Sequence, residues 1–199
     1  MKTVFIFGLG YVGVPLAQAL ADQGWQVRGT TRTPSKLADK AGQGWQILPF
    51  QSGQPLADPA AAFADIDAII STITAIGGSD PVLDAHGGDL ANFSGWSGYV
   101  SATSVYPDMP HDICYEDTKV APATARGKAR VIAEAHWQEA FGTEIFRAAG
   151  IYGVGRSPFN ALRDGTARII ERDGQVFNRI HVDDICRIII AAMAKPRSG

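Results

Sequence analysis

The stretch Phe5-Ile6-Phe7-Gly8-Leu9-Gly10-Tyr11-Val12-Gly13 constrains this chain more than any other. Val4 to Phe7 is a short apolar run that reads as a buried strand. Gly8, Gly10 and Gly13 then fall in G-x-G-x-x-G spacing, and an apolar helical pattern runs from Val14 to Ala21. Each glycine has a physical task. Gly8 allows a tight turn out of the strand, Gly10 has no Cβ to block a pyrophosphate, and Gly13 lets the helix approach the sheet. Phosphate oxygens would then meet the free N–H groups and the positive dipole end of the helix. Gly8, Gly10, Tyr11, Val12 and Gly13 are therefore the expected contacts of a dinucleotide.

A secretory signal is the competing reading of the same segment, because Lys2 precedes the apolar run and Ala17-Gln18-Ala19 resembles a cleavage site. Three glycines and Pro15 interrupt that run, and strand, turn and helix account for them better. With 199 residues the chain can bury one sizeable core, and it is expected to form a single domain over 1–199. A net charge of -2 gives no electrostatic reason to expect nucleic acid, and no apolar run reaches membrane-spanning length. Cys114 and Cys186 fit no metal or redox spacing and are expected as reduced thiols in the cytoplasm. His86, His111, His136 and His181 are scattered without an i, i+4 pair, so no metal site is expected.

Trp25 to Thr30 reads as the second strand, followed by Thr33-Pro34, a cap-then-proline helix start. A cofactor lacking a 2′-phosphate commonly meets Asp or Glu at the end of this strand. Here Thr30, Thr31 and Arg32 stand there, and Arg32, Lys36 and Lys40 recur every four residues, so they can share one face. A guanidinium pairs with a 2′-phosphate and stacks on adenine, so NADP is expected over NAD. Further strands are read at Gln46–Phe50, Asp67–Ile73, Tyr99–Ser104, Glu144–Ala149 and Asn178–His181. Helices are read from Asp58-Pro59, from Asp80-Pro81 to about Phe93, over Ala123–Phe141, and from Asp184 to about Met193 with Asp183 as cap. Alternation of this kind implies an α/β fold, a doubly wound parallel sheet in the order 3-2-1-4-5-6. Ser71, Thr72 and Ile73 would lie at its carboxyl edge, beside the switch point between strands 1 and 4 where ligands bind.

Four segments in order now resemble one family. They are Gly8 to Gly13, Tyr99-Val100-Ser101-Ala102-Thr103-Ser104-Val105-Tyr106, Arg147 to Arg156, and Arg179-Ile180-His181-Val182-Asp183-Asp184. The chain resembles an atypical extended short-chain dehydrogenase/reductase of the NAD-dependent epimerase/dehydratase kind. The resemblance implies a Rossmann fold with a nicotinamide cofactor and a substrate-side segment over 154–182. It implies substrate contacts from Tyr152 and Arg156, and a lysine that holds the nicotinamide ribose, here Lys128.

The departures from the family bear on chemistry. Its Ser or Thr before Val-Tyr is Ala102 here, and Thr103 is expected to point to the other side of the strand. Its Tyr-x-x-x-Lys pair matches Thr124-Ala125-Arg126-Gly127-Lys128, with threonine in place of tyrosine. A lysine lowers the pKa of that tyrosine, and a threonine hydroxyl has no comparable acidity. Lys128, Thr103 and Thr124 are thus the candidate catalytic residues. Relatives continue past Pro196-Arg197-Ser198-Gly199, so the substrate lobe is expected to be small or incomplete and a homodimer is expected. Two functions follow from the resemblance. One is an NADP-dependent oxidoreductase or epimerase/dehydratase-like enzyme for a small polar, nucleotide-sugar-like substrate. The other is an NADP(H)-binding sensor with little or no catalysis.

Overall fold

In the computed structural model, which describes residues 1–107, 113–168 and 176–197, the first strand β1 (Thr3–Phe7) is buried along its whole length. His111, residues 169–175 of the expected substrate-side segment and the last two residues lie outside the described part. Side chains alternate across a strand, so β1 feeds two cores. Val4 and Ile6 pack on one face, Phe5 and Phe7 on the other. A strand buried on both faces needs an apolar side chain at nearly every position, and Val-Phe-Ile-Phe meets that need.

Around β1 stand β2 (Gln26–Thr31), β3 (Gln46–Pro49), β4 (Ala68–Ser71), β5 (Trp96–Ala102) and β6 (Glu144–Ala148). They form a parallel sheet in the order β3-β2-β1-β4-β5-β6, with Val4 opposite Val27 on one side and Ala68 on the other. The strand order reverses between β1 and β4, which opens a crevice at their carboxyl ends. A two-stranded parallel sheet of β7 (Gly150–Tyr152) and β8 (Arg179–His181) lies beyond β6 in sequence.

The helices cover both faces. α1 (Gly13–Ala21) and α7 (Val182–Ala194) join Val4, Ile6 and Ile70 through Leu16, Leu20, Ile185 and Ile189. Between them come α2 (Ala38–Gly42), α3 (Pro59–Phe63), α4 (Pro81–His86), α5 (Ala125–Phe141) and α6 (Pro158–Arg163). On the opposite face α4 and α5 bring Val82, Ala133 and Trp137 against Phe5, Phe7, Ile69 and Tyr99. The Trp137 and Tyr99 rings stack with centroids 5.9 Å apart. Buried Cys186 on α7 donates its thiol to the Val12 carbonyl at 3.9 Å, and burial, with Asp183 nearby, pushes that thiol up to about 11. No described helix is long and apolar enough to cross a membrane.

Several boundaries differ from the sequence reading. β5 starts at Trp96, whose indole donates to Glu144 at 2.8 Å, and it ends at Ala102, where a 3₁₀ turn (Thr103–Val105) takes over. α4 stops at His86 rather than near Phe93; Gly87 and Gly88 follow, and glycine is a poor helix continuer. Thr33 makes no side-chain cap, because Pro34–Leu37 is a short 3₁₀ turn and α2 begins only at Ala38. That offset turns Lys40 away from Arg32: its ammonium reaches Gln18 Oε1 at 2.8 Å and lies over the Trp45 ring. α7 is capped by His181, not Asp183; His181 Nδ1 accepts from the Asp183 N–H at 3.2 Å. Asp58 caps α3 as expected.

Two stability measurements follow. A Cβ on Gly13 would strike the Gly8 carbonyl oxygen, with Ile6 Cγ2 at 3.4 Å. Gly13→Ala is therefore expected to cost about 1–3 kcal/mol through overpacking. Urea unfolding should show a lower midpoint at unchanged slope; an unchanged midpoint would contradict the close approach.

Asp80 is 1% exposed and accepts from the Val82 and Leu83 N–H groups at 2.9 and 3.2 Å, capping α4. Burial lifts its carboxyl above the ordinary 3.8, and the Trp137 indole and the two amide hydrogen bonds only partly offset this. Between 3.8 and the raised value the folded state holds a proton that the unfolded state has lost. Asp80 thus stabilises less as pH rises through that window, and its cost persists above it. Asp80→Asn keeps a capping oxygen without the charge. The stability of the variant relative to wild type should rise from pH 3.8 upward across the window. Unfolding curves for the two proteins that stay parallel over that range would contradict it.

Candidate functional site

The turn between β1 and α1 is held from both sides. Gly8 has φ +94°, a conformation that glycine adopts without strain. Its N–H donates to Thr30 Oγ1 at 3.1 Å, and the Leu9 N–H donates to the Thr30 carbonyl at 2.6 Å. Just past β4, the Thr72 N–H donates to the Phe7 carbonyl at 2.9 Å, and the Thr72 hydroxyl donates to the Gly8 carbonyl at 2.7 Å. Two threonines at the ends of neighbouring strands thereby fix the glycine turn.

A Cβ on Gly10 would meet nothing within 4 Å. The turn borders a cleft of about 850 Å³ lined by Gly8, Gly10, Tyr11 and Val12. The Tyr11 and Val12 N–H groups have no hydrogen-bond partner among the described residues. Free amides beside an open glycine at a helix start fit a phosphate group.

Among the described residues, all the charge on the cleft wall is positive. Arg32, Arg126, Arg130 and Arg156 line it, and no carboxylate does among the described residues. Arg32 stands exposed just past the end of β2. Arg130 donates through Nη1 to the Val100 carbonyl at 3.2 Å and through Nη2 to Thr74 Oγ1 at 3.3 Å, leaving Nε buried without a partner. Arg156 lies over the Tyr11 ring, 5.3 Å from its centroid, and the Tyr11 hydroxyl donates to the Val154 carbonyl at 3.2 Å.

Behind this wall a buried polar network fixes β5, β6 and α5 to one another. Glu134 accepts from the Ser101 hydroxyl and from Arg147, whose Nη2 lies 2.8 Å from its carboxylate. Arg147 also donates to the Tyr106 hydroxyl at 3.1 Å. Satisfied charge pairs of this kind are costly to break singly, because one charge is then left buried.

The expected site residues divide into two groups. Gly8, Gly10, Tyr11, Val12, Thr31, Arg32, Thr72, Ile73, Thr103 and Arg156 line the cleft. Gly13 sits behind the turn as a packing residue, and Ser71 is fully buried with its hydroxyl accepting from the Ile73 N–H at 3.4 Å. Tyr152 is not on the cleft wall and packs edge-on against His181 at 5.1 Å. Thr124 is the α5 N-cap, accepting from the Gly127 N–H at 3.0 Å, so its hydroxyl serves the helix. Lys128 is exposed and does not reach the cleft.

The cleft pair on α5 is Arg126 and Arg130 instead. Residues four apart share a helix face, while 126 and 128 lie about 200° apart around the axis. The i, i+4 pair of α5 that lines the cleft thus lies two residues beyond Thr124 and Lys128. The available signal was Gly127. A Cβ there would strike the Ser104 carbonyl oxygen, so the helix presses on the turn after β5 at this residue. The strand ends at Ala102, so strand alternation does not reach Thr103, which is exposed on the cleft wall beside Ser104.

Comparisons agree with this geometry. A family model for the NAD binding domain of 6-phosphogluconate dehydrogenase matches residues 3–119. Protein YeeZ of Escherichia coli K12 is 31% identical over 212 residues, an alignment that covers 100% of this chain and 76% of YeeZ. A functionally unknown conserved protein from Silicibacter pomeroyi superposes with a TM-score of 0.89 at 38% identity, covering 100% of this chain and 70% of that one. UDP-glucuronic acid 4-epimerase from Bacillus cereus, solved in complex with NAD, superposes with a TM-score of 0.76 over 99% of this chain and 75% of its own. Its 18% identity makes that a likeness of fold. The clamped glycine turn, the strand order and the matched residues converge: this chain belongs to the family of NAD-binding domains described for 6-phosphogluconate dehydrogenase, and YeeZ is a relative.

Proposed function

We propose that this protein binds NADP(H) in the cleft, as an oxidoreductase or epimerase/dehydratase-like protein of the extended short-chain kind. Its substrate would be a small polar, nucleotide-sugar-like molecule. The observation that carries the cofactor reading is the wall of the cleft: an open Gly10, free amides at Tyr11 and Val12, and Arg32 past β2 with no carboxylate among the described lining residues. Tyr11 and Val12 N–H groups would hold the pyrophosphate, and Arg32 with Thr31 the 2′-phosphate. The nicotinamide, when bound, supplies or accepts the hydride. The hydroxyls of Thr103 and Ser104 line the far part of the cleft and offer hydrogen bonds to a polar substrate.

A second reading, an NADP(H)-binding sensor with little turnover, is favoured by the α5 pair. An arginine does not lose its proton near neutral pH, so neither Arg126 nor Arg130 can act as the acid–base partner that the family's tyrosine supplies. Ala102 also offers no hydroxyl.

Three outcomes test these readings. Gly10→Val places a side chain into the open cradle and should abolish NADPH binding, read by its fluorescence, while leaving the folded state intact; unchanged affinity would reject the cradle. Arg32→Ala should weaken NADPH by about 1.5–3 kcal/mol and leave NADH nearly unchanged. Equal loss for both would make Arg32 a stacking residue. Without a positioned proton relay, turnover of generic carbonyls and alcohols should lie ~10²–10⁴-fold below a relay-equipped enzyme. Brisk wild-type turnover in an NADPH oxidation assay would reject the sensor reading.

A further inference from the structure

α5 starts with the wrong charge. Its first turns carry Arg126, Lys128 and Arg130, and no acidic residue lies in the first turn. The N-terminus of a helix is its positive end, so cations there are unfavourable and anions favourable. A 17-residue helix gains nothing in stability from this arrangement. Arg126 has no hydrogen bond or ion pair among the described residues, yet it lines the cleft. Arg130 stands one turn on, on the same face, with its guanidinium tethered to Val100 and Thr74 and its Nε unpartnered. The exposed hydroxyls of Thr103 and Ser104 line the same wall. The contact between Gly127 and the Ser104 carbonyl fixes how close these groups stand.

We infer that Arg126 and Arg130, with the Thr103 and Ser104 hydroxyls, form a clamp for an anionic group on the second ligand of this cleft, a carboxylate or a phosphoryl group. The inference rests on the dinucleotide occupying the glycine-turn end of the same cleft. The pyrophosphate is assigned to the Tyr11 and Val12 amides beside Gly10, across the switch point from α5, so a second anion-recognising end is needed for something other than the cofactor. A guanidinium presents donors in a planar fork that matches carboxylate and phosphate oxygens, and the helix start adds its dipole. Arg126 selects the ligand by charge. Arg130, already held by the protein, positions it.

The test uses the full chain saturated with NADPH, so that the glycine turn cannot bind the probe. Inorganic phosphate and malonate are titrated calorimetrically in separate arms, with glycerol as an uncharged polar control. At least one anion should bind and glycerol should not; the tighter arm tells phosphoryl from carboxyl. Arg126→Gln should weaken that anion by about tenfold or more and leave NADPH affinity unchanged. Arg126→Lys should recover part of the loss, because it keeps the charge without the fork. Arg126 is exposed and makes no hydrogen bond or ion pair among the described residues, so these variants are expected to fold as wild type does. The clamp is overturned if the loaded protein binds neither anion, if Arg126→Gln binds as wild type does, or if NADPH and anion weaken together. Failure of the wild type to bind NADPH at all would instead remove the dinucleotide reading, and the clamp with it.

Discussion

The site depends on the fixing of one turn between two threonines. Thr30 and Thr72 stand at the ends of the strands flanking β1, and between them they bind the N–H of Gly8, the N–H of Leu9 and the carbonyls of Phe7 and Gly8. These bonds leave the amides of Tyr11 and Val12 without a partner among the described residues, on residues that line the cleft. Gly13 then lets α1 settle onto the turn, where a single methyl group would collide with the Gly8 carbonyl. A phosphate site made of backbone amides loses little entropy on binding when its amides are already held in place. The parallel sheet supplies this rigidity, because the order of β2, β1 and β4 places both threonines beside the turn.

The opposite wall is built differently. It relies on buried ionic contacts rather than on backbone alone. Glu134 accepts from Ser101 of β5 and from Arg147 of β6, so that α5 and both strands share one hydrogen-bonded centre. Arg147 engages Tyr106 as well, which keeps that phenol off the cleft wall. The result is a stiff platform from which Arg126 and Arg130 meet the cleft. The absence of carboxylates among the described lining residues leaves their charge uncompensated from within. That distribution favours an anionic visitor at both ends of the cleft.

Much of this was legible in the residues. The period-free apolar run of β1, the glycine spacing and the Asp-Pro helix starts each have a local physical cause, and strand order followed from the alternation of elements. The place of Arg32 was legible because it is tied to the end of β2, five residues from the buried Val27. The α5 pair was not. Thr124 and Lys128 have the family's spacing, but Thr124 is a helix cap and the cap sets the phase of everything after it. A shift of two residues rotates the face by more than half a turn, and only the Gly127–Ser104 contact fixes which face meets the cleft. Thr103 was misplaced for a related reason: the strand rule was carried past the residue where the strand ends. His181 took the cap expected of Asp183 because β8 brings its ring, two residues earlier, to the first free amides of α7.

The central claim is that this cleft is a dinucleotide site whose adenosine end is shaped for a 2′-phosphate. Fluorescence titration of the wild-type chain with NADPH and with NADH, under identical salt, tests it most directly. Saturable binding of both, with NADPH tighter by about tenfold or more, is the expected result. Equal affinities, or tighter NADH, would contradict the role given to Arg32, and the absence of saturable binding by either would contradict the site itself.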